Sequence, residues 1–285
     1  MKSILNFLKY PYNRKSIFSI FRLIEWKLIR VLKLKGIKKT FWDREFNISY
    51  DSLQCMWLYY HYIVDWEEFN LIRDISKVDD VVFDVGANMG FYGLWMSKFV
   101  SNGSIHVFEP SKDTFVRCAN NYNLNSKKIN AEIILNELAI GDHVGFAYLS
   151  GDKDGENHLT TDTMITGNKI SLDTIDNYVI DRNIKKINYC KIDIEGFELH
   201  ALRGAENMLR GKNIDCIQIE INRALENSGV SVRELLEFIE NVDYQLCCYN
   251  VDERKLEKID YISERENYFL VSDLSSINQK IHNQG

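Results

Sequence analysis

From Val78 onward, short apolar runs alternate with segments of helical periodicity. Strands are predicted at the apolar runs 81–86, 104–110, 131–140, 187–196, 214–221, 244–250 and 267–272, and the third run leads into a hairpin ending near residue 150. Helices are predicted at 91–100, 111–124, 170–180, 197–210 and 231–242. Near-continuous apolar strands separated by helices are typical of a parallel sheet covered on both faces. The pattern therefore predicts an α/β fold with a doubly wound, seven-stranded, mostly parallel sheet whose last strand is antiparallel.

The beginning of the chain has a different pattern. Residues 15–35 are predicted to form a cationic amphipathic helix, with apolar residues at helical spacing (Ile17, Phe21, Ile24, Leu28 and Val31) and basic residues on another side (Lys15, Arg22, Arg30 and Lys33). One interpretation is that the apolar side packs on the main domain and the basic side faces water. The other is that the helix lies on an anionic membrane surface or binds a phosphate-bearing substrate. Residues 50–76 also look helical, so we expect residues 1–60 to be a basic helical segment and 61–285 to be one domain.

Charge and cysteine content narrow the class of protein. Residues 1–45 hold twelve Lys or Arg and three Asp or Glu, whereas the chain as a whole has a net charge of −6. A basic segment on an acidic body suggests contact with something anionic. No apolar run is long enough for a transmembrane helix, the start lacks the features of a signal peptide, and the six cysteines have neither zinc spacing nor a disulfide pattern. We expect a cytoplasmic protein whose basic helix can contact the inner face of the membrane.

A glycine-containing turn follows the first strand of the alternating region. It reads Asp84-Val85-Gly86-Ala87-Asn88-Met89-Gly90 and opens a helix. In open α/β sheets, ligands bind at the carboxyl ends of strands where the strand order reverses, and glycine lets a ligand approach the backbone. The DxGxNxG pattern differs from the GxGxxG of dinucleotide sites, and Asp84 would repel a pyrophosphate but attract the ammonium of an amino acid. A P-loop is excluded because no GK[ST] follows.

Acidic residues also end the next strands. Glu109 is suited to accept hydrogen bonds from both hydroxyls of a ribose, although an NAD enzyme would use an acid in the same way. At the end of the third strand, Glu137 and Leu138 are placed to receive an adenine ring.

The fourth strand ends in three charged residues. Alternation puts Lys191, Asp193 and Glu195 on one side of the predicted strand 187–196. Three charges could not face the helices that cover a sheet, so we expect them to meet at the strand tip. Carboxylates clustered beside a lysine have shifted pKa values, as a catalytic site requires. A structural ion-pair network is the alternative interpretation.

Taken together, the motifs DVGANMG, FEP, SLDTID, KIDIEGFE and IQIEI resemble those of the FkbM-type methyltransferases, over about residues 65–271. The resemblance implies the class I, Rossmann-like methyltransferase fold, S-adenosylmethionine as cofactor, and O-methylation of hydroxyls in natural products or in sugars of surface polysaccharides. It also implies roles for individual residues: the cofactor loop for Asp84, Gly86, Asn88 and Gly90, the ribose acid for Glu109, and the charged strand motif for Lys191, Asp193 and Glu195.

The complete predicted cofactor site comprises Asp84, Gly86, Ala87, Asn88, Gly90, Phe91, Glu109, Ser111, Glu137 and Leu138. An alcohol needs a base to take its proton during methyl transfer. We expect Asp193 or Glu195 to be that base, with Lys191 tuning the acid or orienting the substrate. No ligand spacing supports a metal.

The predicted acceptor site is less well defined. Asn157 and His158 lie on a loop before the fourth strand that could cover the acceptor, and Glu220 faces either the substrate or a structural partner. His143 and His158 could compete for the role of base, but a solvated or core histidine is the interpretation we prefer for both. The expected acceptor is a small molecule or a glycan, phosphate- or lipid-linked.

Other classes of protein remain as alternatives. The fold could bind a nucleoside cofactor without catalysis, or belong to an NAD-linked oxidoreductase, which the glycine spacing disfavours. A nucleic-acid methyltransferase is disfavoured by the acidic body of the chain, so no nucleic-acid partner is expected.

Overall fold

The computed structural model describes residues 18–63, 65–150, 158–160, 168–222, 225, 228–262 and 265–283. The described helices are α1 (Phe18–Val31), α2 (Leu53–His61), α3 (Trp66–Ile75), α4 (Phe91–Met96), α5 (Lys112–Leu124), α6 (Ile175–Asp181), α7 (Glu198–Arg203), α8 (Glu206–Arg210), α9 (Val232–Asn241) and α10 (Leu274–Asn283). The described strands are β1 (Lys35–Phe41), β2 (Arg44–Ser49), β3 (Val81–Val85), β4 (Ser104–Phe108), β5 (Glu132–Asn136), β6 (Ala139–Ile140), β7 (Gly145–Ser150), β8 (His158–Thr160), β9 (Asn168–Asp173), β10 (Ile187–Ile192), β11 (Ile214–Glu220), β12 (Gln245–Asn250), β13 (Lys255–Lys258) and β14 (Asn267–Val271).

The central sheet has eight described strands in the order β13-β12-β14-β11-β10-β3-β4-β5. Strands β5, β4, β3, β10 and β11 are parallel, and β14 is antiparallel to β11 and β12. The predicted doubly wound, mostly parallel sheet is therefore confirmed, and β13 extends it by one strand that the pattern did not predict. The chain runs outward from β3 through β4 to β5 and returns to place β10 on the other side of β3. This reversal leaves a crevice at the carboxyl ends of β3 and β10.

A second, four-stranded sheet in the order β6-β9-β7-β8 corrects two predictions. The predicted strand 131–140 ends at Asn136, because Ala139 and Ile140 leave the central sheet and pair with β9. The helix predicted at 170–180 is strand β9 followed by α6. Leu172 is buried and belongs to β9, where it pairs with Gly145 of β7. The hydroxyl of Thr174 accepts a hydrogen bond from the backbone of Asn177, and this cap starts helix α6 after Thr174.

The region 35–49, which the helical prediction for residues 1–60 included, is the antiparallel hairpin β1–β2. Its two turn residues, Trp42 and Asp43, have φ angles of 48° and 69°. Positive φ at both central residues is the signature of the type I′ turn that matches the twist of a hairpin. Phe46 and Ile48 alternate with more exposed residues and are fully buried. Strand alternation over this short segment therefore overrides the helical interpretation.

Helix α1 is present as predicted, but it packs through a different face. Trp26 and Ile29 are buried against the protein body, and the Trp26 ring lies 5.3 Å from that of Tyr59 on α2. The apolar side that was expected to pack faces outward, with Leu28 at 55% and Val31 at 78% exposure. The helix carries two apolar faces, and the one with the large indole ring makes the contact with the body.

The hairpin shares a core with the main sheet. Trp42 packs edge-on against Phe69, Phe91 and Trp95, and its indole N–H donates to the carbonyl of Tyr62. Side chains from both sides of residue 60 therefore belong to one apolar cluster. The boundary at residue 60 stays a prediction about folding units.

Replacing Trp42 with alanine should lower the free energy of unfolding by about 3–5 kcal/mol, because it removes a large aromatic side chain from a packed core. Urea unfolding followed by circular dichroism measures the change. Tyr261→Ala is the matched control, since Tyr261 is 73% exposed, and its change should stay within about 0.5 kcal/mol. A loss below about 1 kcal/mol for Trp42→Ala would show that the hairpin is not part of the main core.

Candidate cofactor and active site

A cleft of about 440 Å³ lies at the carboxyl ends of the central strands, where the strand order reverses. The predicted residues that line it are Gly86, Ala87, Asn88, Phe91, Glu109, Ser111, Lys191, Asp193, Glu195 and Glu220. Residues from β3, β4, β10, β11 and the turns after them are thus brought together. The sheet topology explains this, because parallel strands end at the same edge.

The glycine turn is shaped by close contact with the turn after β10. Gly86 has a φ of 78°, and a Cβ atom there would lie 1.8 Å from the carbonyl oxygen of Asp193. Only glycine fits this position without moving the neighbouring strand end. The backbone N–H groups of Gly86 and Ala87 donate to the carbonyl of Phe108, which fixes the turn against β4.

Glu109 ends β4 and is held by two backbone N–H groups. Its Oε2 accepts from Asn88 at 2.9 Å, and its Oε1 accepts from Ser111 at 2.9 Å. Burial of the side chain raises its pKa to about 7. Each carboxylate oxygen can still accept a further hydrogen bond, so the residue could receive a vicinal diol from the cleft.

Lys191 is the charged centre of the site. Its Nζ lies 3.0 Å from Asp193 Oδ2, donates to the carbonyl of Gly86 at 3.4 Å, and lies 4.0 Å from Asp84 Oδ1. It also sits 4.7 Å from the centroid of the Tyr92 ring. Burial lowers the pKa of this lysine, but the nearby Asp193 and Asp84 carboxylates outweigh burial and raise it. The ammonium is therefore charged and joins the two strand ends.

Asp84 lies directly beneath the cleft and does not line it. The side chain is fully buried, and Oδ2 accepts a hydrogen bond from the backbone of Gly93 at 2.9 Å. Within the described part of the chain, Oδ1 has no hydrogen-bond partner. Burial raises the pKa of this acid, while the Lys191 ammonium opposes that effect. Direct attraction of a ligand ammonium stays a prediction, and the charged partner that the structure shows for Asp84 is Lys191.

A turn after β10, and not the alternation of side chains along the strand, brings Asp193 and Glu195 together. The strand ends at Ile192, four residues before the predicted end. Glu195 and Gly196 then have φ angles of 54° and 99°. Glu198 anchors this turn by accepting hydrogen bonds from the backbone of Ile194 and Gly196.

Glu220 at the end of β11 completes the cluster. Oxygen atoms of Asp193, Glu195 and Glu220 all lie within 4.8 Å of one another. Burial, together with the charges of Asp193 and Glu195, raises the pKa of Glu220 to about 10, so it carries a proton at neutral pH. Carboxylates at this spacing could hold a divalent cation, but a proton on Glu220 relieves the same repulsion, and the cluster alone does not define a metal site.

A buried polar network beside Lys191 was missed by the sequence analysis. The Tyr92 hydroxyl bonds to the Asp65 carboxylate and accepts from Gln218 Nε2 at 2.9 Å. Gln218 Oε1 in turn accepts from the Tyr189 hydroxyl at 2.7 Å. Asp65 directly precedes α3, a position typical of a helix cap, yet its side chain makes no cap hydrogen bond. The cap position was the only feature of the sequence that drew attention to Asp65. A cap position predicts that a residue supports a helix, so it did not predict this network.

Helix α2 also contributes to the cleft, through Gln54, Trp57 and His61. The Trp57 and His61 rings stack with centroids 4.7 Å apart. Burial lowers the pKa of His61 to about 4, so this imidazole is neutral at physiological pH. Trp57 remains 42% exposed and presents an apolar ring surface at the cleft.

Several predicted site residues are not brought to the cleft. Glu137 is exposed and, like Leu138, does not line it. The chain turns into the small sheet at this point, so the third strand ends before these residues reach the site. Gly90 lies beneath the cleft at the start of α4, with a φ of 82°. Of the residues assigned to the acceptor loop, Asn157 and the side chain of His158 lie outside the described residues. The backbone of His158 begins strand β8 and pairs with Ser150, so the prediction that it lies on a loop is wrong.

His143 is also remote from the cleft. It lies on a surface loop, half exposed, and its Nδ1 bonds to Asp142 at 2.7 Å. The interpretation of His143 as a solvated side chain agrees with this position.

This topology, with its ligand cleft at the strand reversal, is that of a class I, Rossmann-like methyltransferase domain. The chain belongs to the methyltransferase FkbM domain family, whose profile matches residues 84–246. Among relatives, it is 28% identical over 152 residues to the hexuronic acid methyltransferase AglP of Haloferax volcanii, which covers 52% of this chain. The match covers 59% of the length of that relative.

Solved structures of similar fold include two methyltransferases. One is TYW2 of M. jannaschii in complex with AdoMet, at 13% identity and a TM-score of 0.39, with 84% of each chain covered. The other is a SAM-dependent O-methyltransferase of Thermotoga maritima, at 11% identity and a TM-score of 0.39, with 83% of this chain and 76% of that chain covered.

Membership in this family makes S-adenosylmethionine the cofactor, and the residues of the cleft fit it. Gly86 and Ala87 line the cleft, and the missing Cβ of Gly86 lets the turn after β10 pack against this loop. Glu109 would hold the ribose hydroxyls. Asn88 Oδ1 is buried without a hydrogen-bond partner among the described residues, so it offers an acceptor in the cofactor loop.

Cofactor binding should depend on pH through Glu109. The pKa of this acid is about 7 in the free protein, and ribose hydroxyls donate to the ionised form. The affinity for S-adenosylhomocysteine should therefore be constant above about pH 7 and fall up to about tenfold per unit below it. Isothermal titration calorimetry between about pH 5.5 and about pH 8.5 measures the profile.

Glu109→Gln provides the control for this pH profile. It should weaken binding at the upper end of the range and flatten the profile, because the titrating group is gone. An equally steep profile in Glu109→Gln, or a flat one in the native protein, would remove Glu109 from the ribose site.

Proposed function

We propose that this protein transfers a methyl group from S-adenosylmethionine to a hydroxyl of a sugar, in the biosynthesis of a surface polysaccharide or of a glycosylated natural product. The observation that supports this best is the convergence of Asp193, Glu195 and Glu220 beside Lys191 in the cofactor cleft. Methyl transfer to an alcohol requires a proton acceptor at the reacting oxygen, and this cluster supplies one.

When bound, the cofactor supplies an activated methyl group on a sulfonium. A carboxylate of the cluster would accept the proton of the acceptor hydroxyl as that oxygen takes the methyl group and the thioether leaves. We assign that role to Asp193, which lines the cleft and is about one-third exposed. The Lys191 ammonium at 3.0 Å restrains its orientation and offsets its charge. Glu195 is the second candidate for the base, because its carboxylate lies in the same cluster.

A sugar acceptor is supported by the chemistry of the cleft and by one relative. Protonated Glu220 can both donate to and accept from hydroxyl groups. The exposed ring surface of Trp57 can pack against the apolar face of a pyranose ring. The relative in Haloferax volcanii bears the name of a hexuronic acid methyltransferase. Because the cleft has an excess of carboxylates, it would repel a negative charge on the acceptor close to the reacting hydroxyl. A negatively charged acceptor should therefore carry its charge at a distance from that hydroxyl.

We also propose that the acceptor is phosphate- or lipid-linked and that the protein works at the inner face of a membrane. The excess of basic residues in the segment 1–45 supports this location.

Asp193→Asn should lower the rate of methyl transfer by about 10²–10⁴-fold, because the variant cannot accept the hydroxyl proton. Single-turnover transfer of labelled methyl separates this step from product release. The affinity for S-adenosylhomocysteine should be nearly intact, and Glu195→Gln should have a smaller effect on the rate. His143→Gln is the control and should transfer at the native rate, since His143 lies outside the cleft. A native rate in Asp193→Asn would remove Asp193 from the role of base.

The acceptor class is tested with a panel of hexose and hexuronate glycosides next to hydroxylated aglycones that lack a sugar. The expected result is transfer of labelled methyl to the glycosides. Transfer to the aglycones alone would contradict a sugar acceptor. Binding of the cofactor without transfer to any hydroxyl compound would favour a non-catalytic binding module, and stabilisation by NAD alone would favour an oxidoreductase.

A further inference from the structure

Helix α1 has a second apolar face, whose side chains are largely exposed in the part of the chain that the structure describes. Trp26 and Ile29 face the body and are buried. On the other side of the helix the exposed apolar residues are Ile20 (54%), Phe21 (63%), Ile24 (51%), Leu28 (55%) and Val31 (78%). We call these five residues the outer α1 face.

The outer face is one continuous stripe. Since successive helical residues are rotated by about 100°, its five residues fall within an arc of about 100°, roughly opposite Trp26 and Ile29. Leu32 and Leu34, directly after the helix, extend it and are also exposed. A helix that is apolar on both sides is expected in a protein core or at a membrane, and α1 lies on the outside of this protein.

Basic residues border the outer face. Lys27, Arg30 and Lys33 are exposed, and none of them has an ion-pair partner among the residues that the structure describes. Other basic residues nearby are already paired, Lys35 with Asp51 at 2.6 Å and Lys39 with Glu25. An apolar stripe bordered by unpaired cations matches an anionic lipid surface, whereas a second copy of the same face would bring like charges together.

We propose that the outer α1 face binds the surface of a bilayer that contains anionic phospholipids. The helix lies in the plane of the interface, its apolar side chains enter the boundary of the acyl chains, and the basic residues reach the lipid phosphates. No helix in the described ranges is long and apolar enough to cross a bilayer, so the contact is with one surface.

This contact places the lipid on the same side of the protein as the helices that lead to the active site. Helix α1 packs on α2, where Arg22 Nε donates to the carbonyl of Tyr59 at 3.3 Å. The same helix α2 carries Gln54, Trp57 and His61 to the cleft. Helices α1 and α2, each about 10 Å across, therefore lie between the outer α1 face and the cleft. The inference rests on the proposed function in one respect, namely that the acceptor is lipid-linked. It identifies the surface of the protein that would bring the enzyme to such an acceptor.

Flotation with vesicles tests the inference. The full chain is mixed with vesicles of phosphatidylcholine alone or with about one-third phosphatidylglycerol. We expect binding to the anionic vesicles that weakens as salt is raised, because charge screening reduces the attraction. Ile24→Ser with Leu28→Ser should reduce the bound fraction at least about tenfold, since two inserted side chains are lost. Ile180→Ser is the matched control, because Ile180 is 73% exposed on α6, and it should bind like the native chain.

Native binding by the Ile24→Ser, Leu28→Ser variant, or no binding of the native chain to anionic vesicles, would overturn the inference. Sedimentation velocity provides a second readout: a dimer that this variant abolishes would assign the face to a second copy of the chain and would equally overturn it. Methyl transfer to a water-soluble acceptor without lipid should be the same in the variant and the native chain. Loss of vesicle binding with intact methyl transfer would contradict the membrane inference and leave the proposed function unchanged. Intact vesicle binding without methyl transfer would contradict the proposed function and leave the membrane inference unchanged.

Discussion

A buried ammonium between two strand ends is the interaction on which the site depends. Lys191 lies on β10 directly beside Asp84 of β3, and it contacts Asp193 and the carbonyl of Gly86. One cation thus joins the glycine turn after β3 to the turn after β10. Burying these charges costs free energy that their mutual attraction must offset. Removing one partner would leave the other charges buried without compensation and would lower the free energy of unfolding by several kcal/mol. Gly86 permits the close approach, because any Cβ atom would strike the carbonyl oxygen of Asp193.

The remaining elements hold this pair of strand ends in place. The ends of the parallel strands β3, β4, β10 and β11 meet at one edge of the sheet. Asp65, which directly precedes helix α3, joins the network behind Lys191. Tyr92 takes part twice, through its hydroxyl in that network and through its ring under the ammonium. The N-terminal hairpin reaches the same region from outside, since Trp42 packs on Phe91 of the helix that follows the glycine turn. The site therefore has rigid support on several sides.

The sequence predicted the sheet and the centre of the site because both follow from local patterns. Apolar runs predict the central strands. Gly86, Glu109 and Lys191 lie at or near the ends of these runs, so their positions at the strand ends follow from the same pattern. What failed depends on distant contacts. The pattern predicts helix at 170–180, but residues 168–173 form a strand whose partners in the small sheet are distant in sequence. The role of Asp65 depends on Tyr92, 27 residues away. In α1, two apolar faces compete, and only the contact with Tyr59 shows which one is buried.

Titration of S-adenosylhomocysteine into the native protein and into Lys191→Met in a calorimeter, with unfolding midpoints measured alongside, tests the role of the buried ammonium most directly. We expect one binding site in the native protein and at least about tenfold weaker binding in the variant, which corresponds to about 1.4 kcal/mol, because the glycine turn and the turn after β10 lose their common cation. Equal affinity in a folded Lys191→Met variant, or no binding to the native protein, would contradict this expectation.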